Sequence, residues 1–121
     1  MLGKKIISIR FKVMMRDREM TTKVLAMVTI NEGEPQALAH YLKVTEMLMT
    51  RVDAKITKRF HVKEVVIGEP LKTVILTEYP NRDAVTQVFE SEEYKALKAT
   101  REKAFTSYVV SVVCDAEFDT D

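Results

Sequence analysis

The sequence predicts an α+β domain in which one antiparallel sheet carries its helices on one face. Its 121 residues are enough for a single domain. Residues 22–30 and 107–116 are apolar at both alternating positions, as in strands that are covered on both faces. The predicted order is strand, helix, strand, strand, helix, strand. Right-handed crossovers turn this order into a split βαβ sheet with both helices on the same side.

The composition is that of a globular protein. Hydrophobic residues make up 46% of the chain and charged residues 31%, with three glycines and three prolines. The net charge of +1 supplies no overall basic field, so we expect no nucleic-acid partner. No stretch approaches the roughly 20 apolar residues of a membrane span, so we expect no membrane contact either.

The cysteine and histidine content argues against metal chemistry. Cys114 is the single cysteine, which excludes a disulfide within the chain and favours a reducing, cytoplasmic compartment. Its apolar surroundings predict a small buried side chain. His40 and His61 lack the spacing of a zinc site, so we expect no metal site and no cofactor.

Proline and capping residues mark the predicted elements. The first strand covers residues 22–30, and Pro35 begins a helix with Glu34 at or near its cap. Asn81 is a good cap for the second helical region. Ser91 is followed by two glutamates, which suit the first turn of a helix, so we expect a bend or a restart there.

The second face of this sheet lacks a cover. The first strand carries Leu25 and Met27 on that face, and the last strand carries Val109 and Val113. Because both helices lie on the other side, these side chains need another partner. We therefore expect a homodimer that packs sheet to sheet through an apolar interface.

The ends of the chain are predicted to be separate segments. Residues 1–20 form a basic N-terminal extension in which apolar side chains from Ile7 to Met15 recur with period two. This pattern predicts an added edge strand, the alternative being that Met20 is the natural start. Residues 21–116 form the domain itself, and residues 117–121 form a C-terminal tail.

Several motifs resemble those of one family. Glu34-Pro35 and Tyr41 stand where the family has Asp-Pro and an aromatic residue at its first helix. The other matching motifs are Glu78-Tyr79-Pro80-Asn81, Ser91-Glu92-Glu93-Tyr94, Arg101 and the apolar strand from Tyr108 to Val113. From about Thr22 to Asp115 the chain is therefore similar to the small bacterial proteins of domain-of-unknown-function family thirteen-thirty, within the dimeric alpha-beta barrel superfamily.

The resemblance implies a ferredoxin-like sheet and a homodimer, the dimeric alpha-beta barrel. It brings no established reaction, because the family as a whole lacks one. The chain also departs from the family pattern. It has Asp53-Ala54 and Phe60-His61 where members tend to carry Gly-Gly, which affects any turn or ligand pose that depends on those glycines.

Arg101 and Glu78 are the first candidate site residues. Arg101 falls within the apolar stripe of its helix, where a guanidinium needs a carboxylate, backbone carbonyls or an anionic ligand. The alternative is that its head snorkels, or pairs with Glu78 as a structural tie. Glu78 ends an apolar strand, where it can reach water, pair with Arg101 or act as a catalytic base.

A polar row and two tyrosines complete the candidates. Thr57, Arg59, His61 and Lys63 alternate along one strand, so they line an interior or face solvent. If they line an interior, Arg59, His61 and Lys63 make a cavity that prefers an anion. The remaining ligand-binding candidates, for which core packing is the alternative, are Tyr79 and Tyr94.

Two functions follow from these candidates. One is a homodimeric protein that binds a small organic anion in a cleft between sheet and helices. The alternative is a cofactor-free enzyme of the monooxygenase or isomerase type, which acts on an activated carbon acid with Glu78 or His61 as the base. Haem binding through His61, as in other superfamily branches, is a third hypothesis that rests on one residue.

Overall fold

The computed structural model describes residues 21–69 and 73–115. The predicted edge strand in residues 1–20 and the tail at 117–121 lie outside the described residues. The described elements follow the predicted order, with the second helical region divided into three short helices. They are β1 (Thr22–Ile30), α1 (Pro35–Arg51), β2 (Lys55–His61), β3 (Thr73–Tyr79), α2 (Arg82–Phe89), α3 (Glu92–Lys95), α4 (Lys98–Ala104) and β4 (Phe105–Val113).

The four strands form one antiparallel sheet in the order β2-β3-β1-β4. The two central strands, β1 and β3, come from different βαβ halves, which is the ferredoxin-like topology. The predicted fold class is therefore confirmed. Strand β4 begins at Phe105 and pairs with β1 as far as Val113, which is opposite Lys23.

Capping residues set the starts of the helices as predicted. The Asn81 side chain accepts a hydrogen bond from the Ala84 N–H at 2.8 Å and so begins α2. The Ser91 hydroxyl accepts from the Tyr94 N–H at 3.1 Å and begins α3, which fixes the backbone that carries Tyr94. Pro35 opens α1, although the Glu34 side chain makes no capping hydrogen bond.

The end of α1 accounts for one departure from the family pattern. The Ala54 N–H donates to the Met49 carbonyl at 2.9 Å and the Asp53 N–H donates to the Thr50 carbonyl at 3.2 Å, the pair of bonds of a Schellman motif. This motif places Asp53 in the left-handed region, with φ of 59°. Glycine is the usual residue there, and Asp is among the few others that tolerate it.

Alternate side chains divide the sheet into two faces. On the inner face, Val24 and Val28 are each 3% exposed and belong to the core shared with the helices. On the outer face, Leu25 and Met27 are half-buried and do not belong to that core. Cross-strand register assigns the outer face three further residues of β3, Val74, Leu76 and Glu78.

The C-terminal end of β4 corrects one expectation. Cys114 was expected to be buried, but it is exposed, because the pairing of β4 with β1 stops at Val113. Within residues 21–69 and 73–115, no helix is both long enough and apolar enough to cross a membrane.

Candidate ligand-binding site

A cavity of about 260 Å³ lies between the inner face and the helices. Its floor is the inner face of all four strands, and its roof is formed by α1, by the end of α2 and by Tyr94 of α3. Most of its lining side chains are apolar. The polar or titratable ones among the described residues are Tyr41, Thr45, Arg59, His61, Thr73, Thr77, Tyr79, Tyr94 and Tyr108.

The register of the strands orders the floor of the cavity in rows. His61 is opposite Thr73, Thr73 is opposite Val28, and Val28 is opposite Tyr108. This row crosses three strand spacings, about 14 Å from the β2 backbone to the β4 backbone. The next row passes through Ala26, whose small side chain leaves space at the centre of the floor.

The β2 end of the cavity is basic and open to water. Arg59 and His61 both line the cavity and both are exposed. The His61 Nδ1 atom lies 3.3 Å from the Thr73 hydroxyl oxygen, within hydrogen-bond distance. The predicted row is wrong at Thr57, because a register shift between Ile56 and Lys58 puts Ile56 on the cavity face in its place.

Lys63 is the last residue of the predicted polar row. It lies beyond the end of β2 at His61, and it does not line the cavity. His40 is exposed on α1, as its polar surroundings indicated. The interior part of the predicted row is therefore Arg59 and His61 alone.

The β4 end of the cavity carries a cluster of three tyrosine hydroxyls, Tyr41, Tyr94 and Tyr108, which we call the hydroxyl cluster. The Tyr94 oxygen lies 3.0 Å from that of Tyr41 and 2.7 Å from that of Tyr108. Tyr41 and Tyr108 are also hydrogen-bonded to each other. Tyr41 and Tyr94 are 6% and 5% exposed, whereas Tyr108 is half-buried.

Arg101 lies behind this cluster rather than in the cavity. Its Nη1 atom donates to the Tyr94 hydroxyl oxygen at 3.3 Å, and its guanidinium carbon lies 5.6 Å and 5.4 Å from the ring centres of Tyr94 and Tyr108. Arg101 lines a second, shallower groove of about 450 Å³, and Tyr94 and Tyr108 line both spaces. A hydroxyl oxygen and two aromatic faces therefore take the position for which a carboxylate was expected.

Burial raises the pKa of three of the tyrosines that line the cavity. It raises the pKa of Tyr41 far above its ordinary value, and the neighbouring Tyr108 and Tyr94 raise it further. Burial likewise raises the pKa of Tyr108, and it raises that of Tyr79 to about 12. Partial burial lowers the pKa of Arg101, but its hydrogen bond to Tyr94 and the nearby tyrosines outweigh this effect, so the net shift is upward.

Glu78 does not belong to this site. It lies on the outer face, opposite Lys23 of β1 and Lys55 of β2, whereas its neighbours Thr77 and Tyr79 line the cavity. The expected pairing of Glu78 with Arg101, and its use as a base in this cleft, are therefore wrong. The alternation of the strand is the physical reason, since every second residue of β3 points away from the helices.

Sequence analysis missed two members of the hydroxyl cluster. The sequence contains four tyrosines, and all four line the cavity. Tyr41 was recognised only as a family-typical aromatic residue and Tyr108 only as part of an apolar strand. The available signal was that Tyr41 and Tyr108 fall on the mostly apolar sides of their elements, with Leu38 and Leu48 beside the first and Val110 and Val112 beside the second. Among residues 21–69 and 73–115, no three or more His, Cys, Asp or Glu side chains are grouped to hold a metal ion.

The fold and the cavity define a ferredoxin-like α+β domain with an internal pocket between sheet and helices. The chain belongs to the family described as "Domain of unknown function (DUF1330)", whose family model matches residues 23–114. The family predicted from the sequence motifs is therefore confirmed. A comparison with curated proteins finds no match.

Solved structures share the fold at low sequence identity. A protein of unknown function from Rhodopseudomonas palustris is 17% identical, with a TM-score of 0.69 over 91% of this chain and 93% of that chain. SnoaB of Streptomyces nogalater, described as a cofactor-independent oxygenase, is 7% identical, with a TM-score of 0.56 over 84% of this chain and 99% of that chain. A protein from Arabidopsis thaliana is 11% identical, with a TM-score of 0.55 over 81% and 98% of the two chains.

Proposed function

We propose that this protein binds a small organic anion in the cavity between the inner face of its sheet and its helices. The observation that carries the proposal is the sign of the charged lining. Arg59 and His61 line a mostly apolar cavity, and no Asp or Glu of the described residues lines it. Pockets of this kind bind the apolar body of a ligand by burial and fix its orientation through a few polar groups.

The volume and the position of the charges set the size of the ligand. A cavity of about 260 Å³ suits a molecule of one or two rings or a short acyl chain. Arg59 and His61 are exposed, so the anionic group of the ligand stays near water while its apolar part occupies the interior. The contact between His61 Nδ1 and Thr73 orients the imidazole and leaves Nε2 available to the ligand.

We further propose that two copies pack together through the outer face. Its apolar residues include Leu25 and Leu76, which are directly opposite each other, and Val109, which is 47% exposed. None of these residues belongs to the core shared with the helices. A second copy presents the same apolar surface, so a two-fold arrangement buries both at once.

The anion preference is tested by calorimetric titration with naphthoate and with naphthamide, its neutral analogue of nearly the same shape. Naphthoate is expected to bind about three- to tenfold more tightly, the range for a charge-assisted contact at a partly exposed site. Arg59→Ala should remove most of this difference. Lys58→Ala removes one positive charge from the outer side of the same strand, so it should preserve the difference and serves as the matched control.

Equal affinity for the two compounds would show that the basic end of the cavity does not select anions. Failure of both to bind would overturn the proposed binding function itself. A loss of preference in Lys58→Ala as large as in Arg59→Ala would assign the effect to overall charge rather than to the cavity.

A second candidate function is a cofactor-free enzyme that acts on an activated carbon acid, of the monooxygenase or isomerase type. It is supported by the similarity of the fold to SnoaB, which is described as a cofactor-independent oxygenase, and by His61 in the cavity wall. In this function His61 takes a proton from carbon and the electron pair moves onto the adjacent carbonyl oxygen as an enolate. Glu78 is not proposed as the base in this cavity, because the Glu78 side chain is on the outer face of the sheet.

The enzymatic function is tested with a cyclic diketone probe in deuterated buffer. Mass spectrometry follows deuterium uptake at the acidic carbon, and an oxygen electrode follows oxidation of the same probe. Catalysis predicts exchange above the buffer rate that is lost in His61→Ala. Exchange that survives this substitution eliminates His61 as the base, and exchange at the buffer rate in the unsubstituted protein eliminates the enzyme.

A further inference from the structure

The hydroxyl cluster has no role in the binding function proposed above. The anionic group of the ligand needs only Arg59 and His61 at the β2 end. The cluster lies at the other end, on the wall where Tyr108 of β4 meets Tyr41 of α1. Three hydroxyls in a mostly apolar wall form a separate polar site, which can hydrogen-bond to a polar atom of a ligand inside the cavity.

The donors and acceptors of the cluster determine the direction in which its hydrogen bonds run. Each phenol has one proton to donate, and its oxygen can also accept, whereas a guanidinium only donates. Arg101 donates to the Tyr94 oxygen, which favours an arrangement in which Tyr94 passes its own proton onward to the next hydroxyl. Three hydroxyls can close a ring, or open into a chain that runs away from Arg101. In the open chain, the last hydroxyl presents an unused proton.

We propose that the hydroxyl cluster is a second subsite that donates a hydrogen bond to a carbonyl or enolate oxygen of the ligand. The ligand is then an organic anion with a carboxylate at one end and a ketone-type oxygen at the other. This inference rests on the proposed binding function and names the class of molecule that the same cavity takes.

Tyr108 ends an open chain in which Tyr94 donates to Tyr41 and Tyr41 donates to Tyr108. In that chain Tyr108 donates to the ligand oxygen instead of to the Tyr94 oxygen, which lies 2.7 Å away. Tyr108 is half-buried and so more accessible than Tyr41 and Tyr94, which are 6% and 5% exposed. It also shares a row of the floor with His61, so the two subsites face each other across the cavity. Burial raises the pKa of Tyr108, which keeps its proton available to an acceptor.

The span between the two ends fits a ligand with two fused rings. The backbones that carry His61 and Tyr108 are about 14 Å apart along the floor, and both side chains line the cavity above it. This span suits a rigid bicyclic body that carries one polar group at each end. A shorter ligand reaches only one subsite.

Arg101 is a positioning residue in this account. It does not line the cavity and acts on the ligand through the Tyr94 oxygen. Its fixed donor role determines the direction of the hydroxyl chain, and its positive charge polarises the chain. Because the Arg101 N–H occupies one lone pair of the Tyr94 oxygen, that oxygen is a weaker acceptor for the Tyr108 proton, which favours the open chain over the closed ring.

The test compares two naphthoates that differ on the far ring, one with an acetyl group and one with an isopropyl group of the same shape. Calorimetry should give the acetyl compound about five- to twentyfold higher affinity, as expected for one buried hydrogen bond. Tyr108→Phe should bring the ratio of affinities close to one and leave binding of the isopropyl compound unchanged. Tyr79→Phe removes a hydroxyl from the same cavity outside the cluster, so it should keep the full ratio.

Arg101→Met and Arg101→Lys test the positioning role. The methionine variant should lower the ratio without weakening the isopropyl compound, and the lysine variant, which retains a donor, should restore part of it. A loss of affinity for both compounds alike would indicate a structural role and overturn the positioning role.

Equal affinity of the two compounds for the unsubstituted protein overturns the subsite but leaves the anion-binding function standing. Failure of both compounds and of plain naphthoate to bind overturns that function, and the subsite with it. A preference that persists in both Tyr108→Phe and Arg101→Met would also overturn the subsite.

Discussion

The inner and outer faces of the sheet are formed by alternate residues of the same strands, yet they meet different surroundings. Val24 and Val28 are each 3% exposed under the helices, whereas Leu25 and Met27 between them are half-buried. All four side chains are apolar. The comparison shows that hydrophobicity alone does not distinguish a face that the chain's own helices cover from a face that they leave uncovered.

The two faces also differ in how completely they are filled. The inner face is covered but leaves a cavity above Ala26, with polar groups at both of its ends. The outer face is mostly apolar, with the charged residues Lys23, Lys55 and Glu78 at one end and Lys58 opposite Leu76. The first arrangement suits a small ligand, and the second suits a flat protein partner.

The largest predicted effect is on the outer face. Leu76→Lys puts two like charges into the proposed dimer interface, so the dimer dissociation constant should rise by roughly 100-fold or more. Light scattering coupled to size-exclusion chromatography measures the mass. Val66→Lys is the matched control, because Val66 is 86% exposed in the loop after β2.

A Leu76→Lys protein that remains a dimer would place the interface elsewhere. A monomer in the unsubstituted protein at low micromolar concentration would remove the proposed partner of the outer face altogether.

The next largest predicted effect is a loss of folding stability at alkaline pH. It arises at the inner face, because all four tyrosines lie there. Burial raises the pKa of Tyr79 from 10.0 to about 12, so the folded state favours the neutral phenol. This stabilisation is fully present below pH 10 and is lost as the pH rises towards 12, by roughly 2 kcal/mol for this residue.

Denaturant unfolding at a series of pH values, together with tyrosinate absorbance, measures this loss. Tyr79→Phe should flatten part of the alkaline decline. An ionisation of all tyrosines at their ordinary pKa in the folded protein would contradict the burial that the cavity requires.

A pair of valine substitutions compares the two faces directly. Val28→Ala on the inner face should lower the free energy of unfolding by roughly 2 kcal/mol at any protein concentration, because it leaves a hole in the covered core. Val74→Ala on the outer face should have an effect that depends on protein concentration, since the proposed dimer buries its side chain. Chemical denaturation at two concentrations a hundredfold apart distinguishes them.

Much of the fold could be predicted from local sequence signals. The caps at Asn81 and Ser91, the proline at the start of α1 and the bounds of β1 all follow from short-range chemistry, which tertiary context did not override. The motifs also identify the family from the sequence alone. These signals are local, so a single sequence contains them in full.

The candidate site could be predicted only in part, because it depends on which side of a strand each residue takes. Glu78 was a candidate for the cleft from its place at the end of β3, with contact to water as the alternative, but strand register put it on the outer face. A bulge between Ile56 and Lys58 changed the cavity side of β2. The contact between Arg101 and Tyr94 joins elements through packing that no spacing pattern encodes.

The departures from the family pattern have different structural meanings. Asp53 occupies a left-handed position that glycine would fill with less strain. His61 adds a basic side chain to the cavity wall where members tend to carry glycine. His61 therefore distinguishes the basic end of this cavity from the family pattern. We expect this end to have the largest influence on which ligand binds.

The most direct test of the account is to fill the cavity and measure ligand binding. Ala26→Leu places a larger side chain at the centre of the inner floor, and Met27→Leu changes the neighbouring residue on the outer face. We expect Ala26→Leu to weaken naphthoate binding at least about tenfold, by steric exclusion, while its thermal unfolding stays cooperative. Met27→Leu should bind as the unsubstituted protein does. Naphthoate affinity that is unchanged in a folded Ala26→Leu protein would contradict the claim that the ligand occupies this cavity.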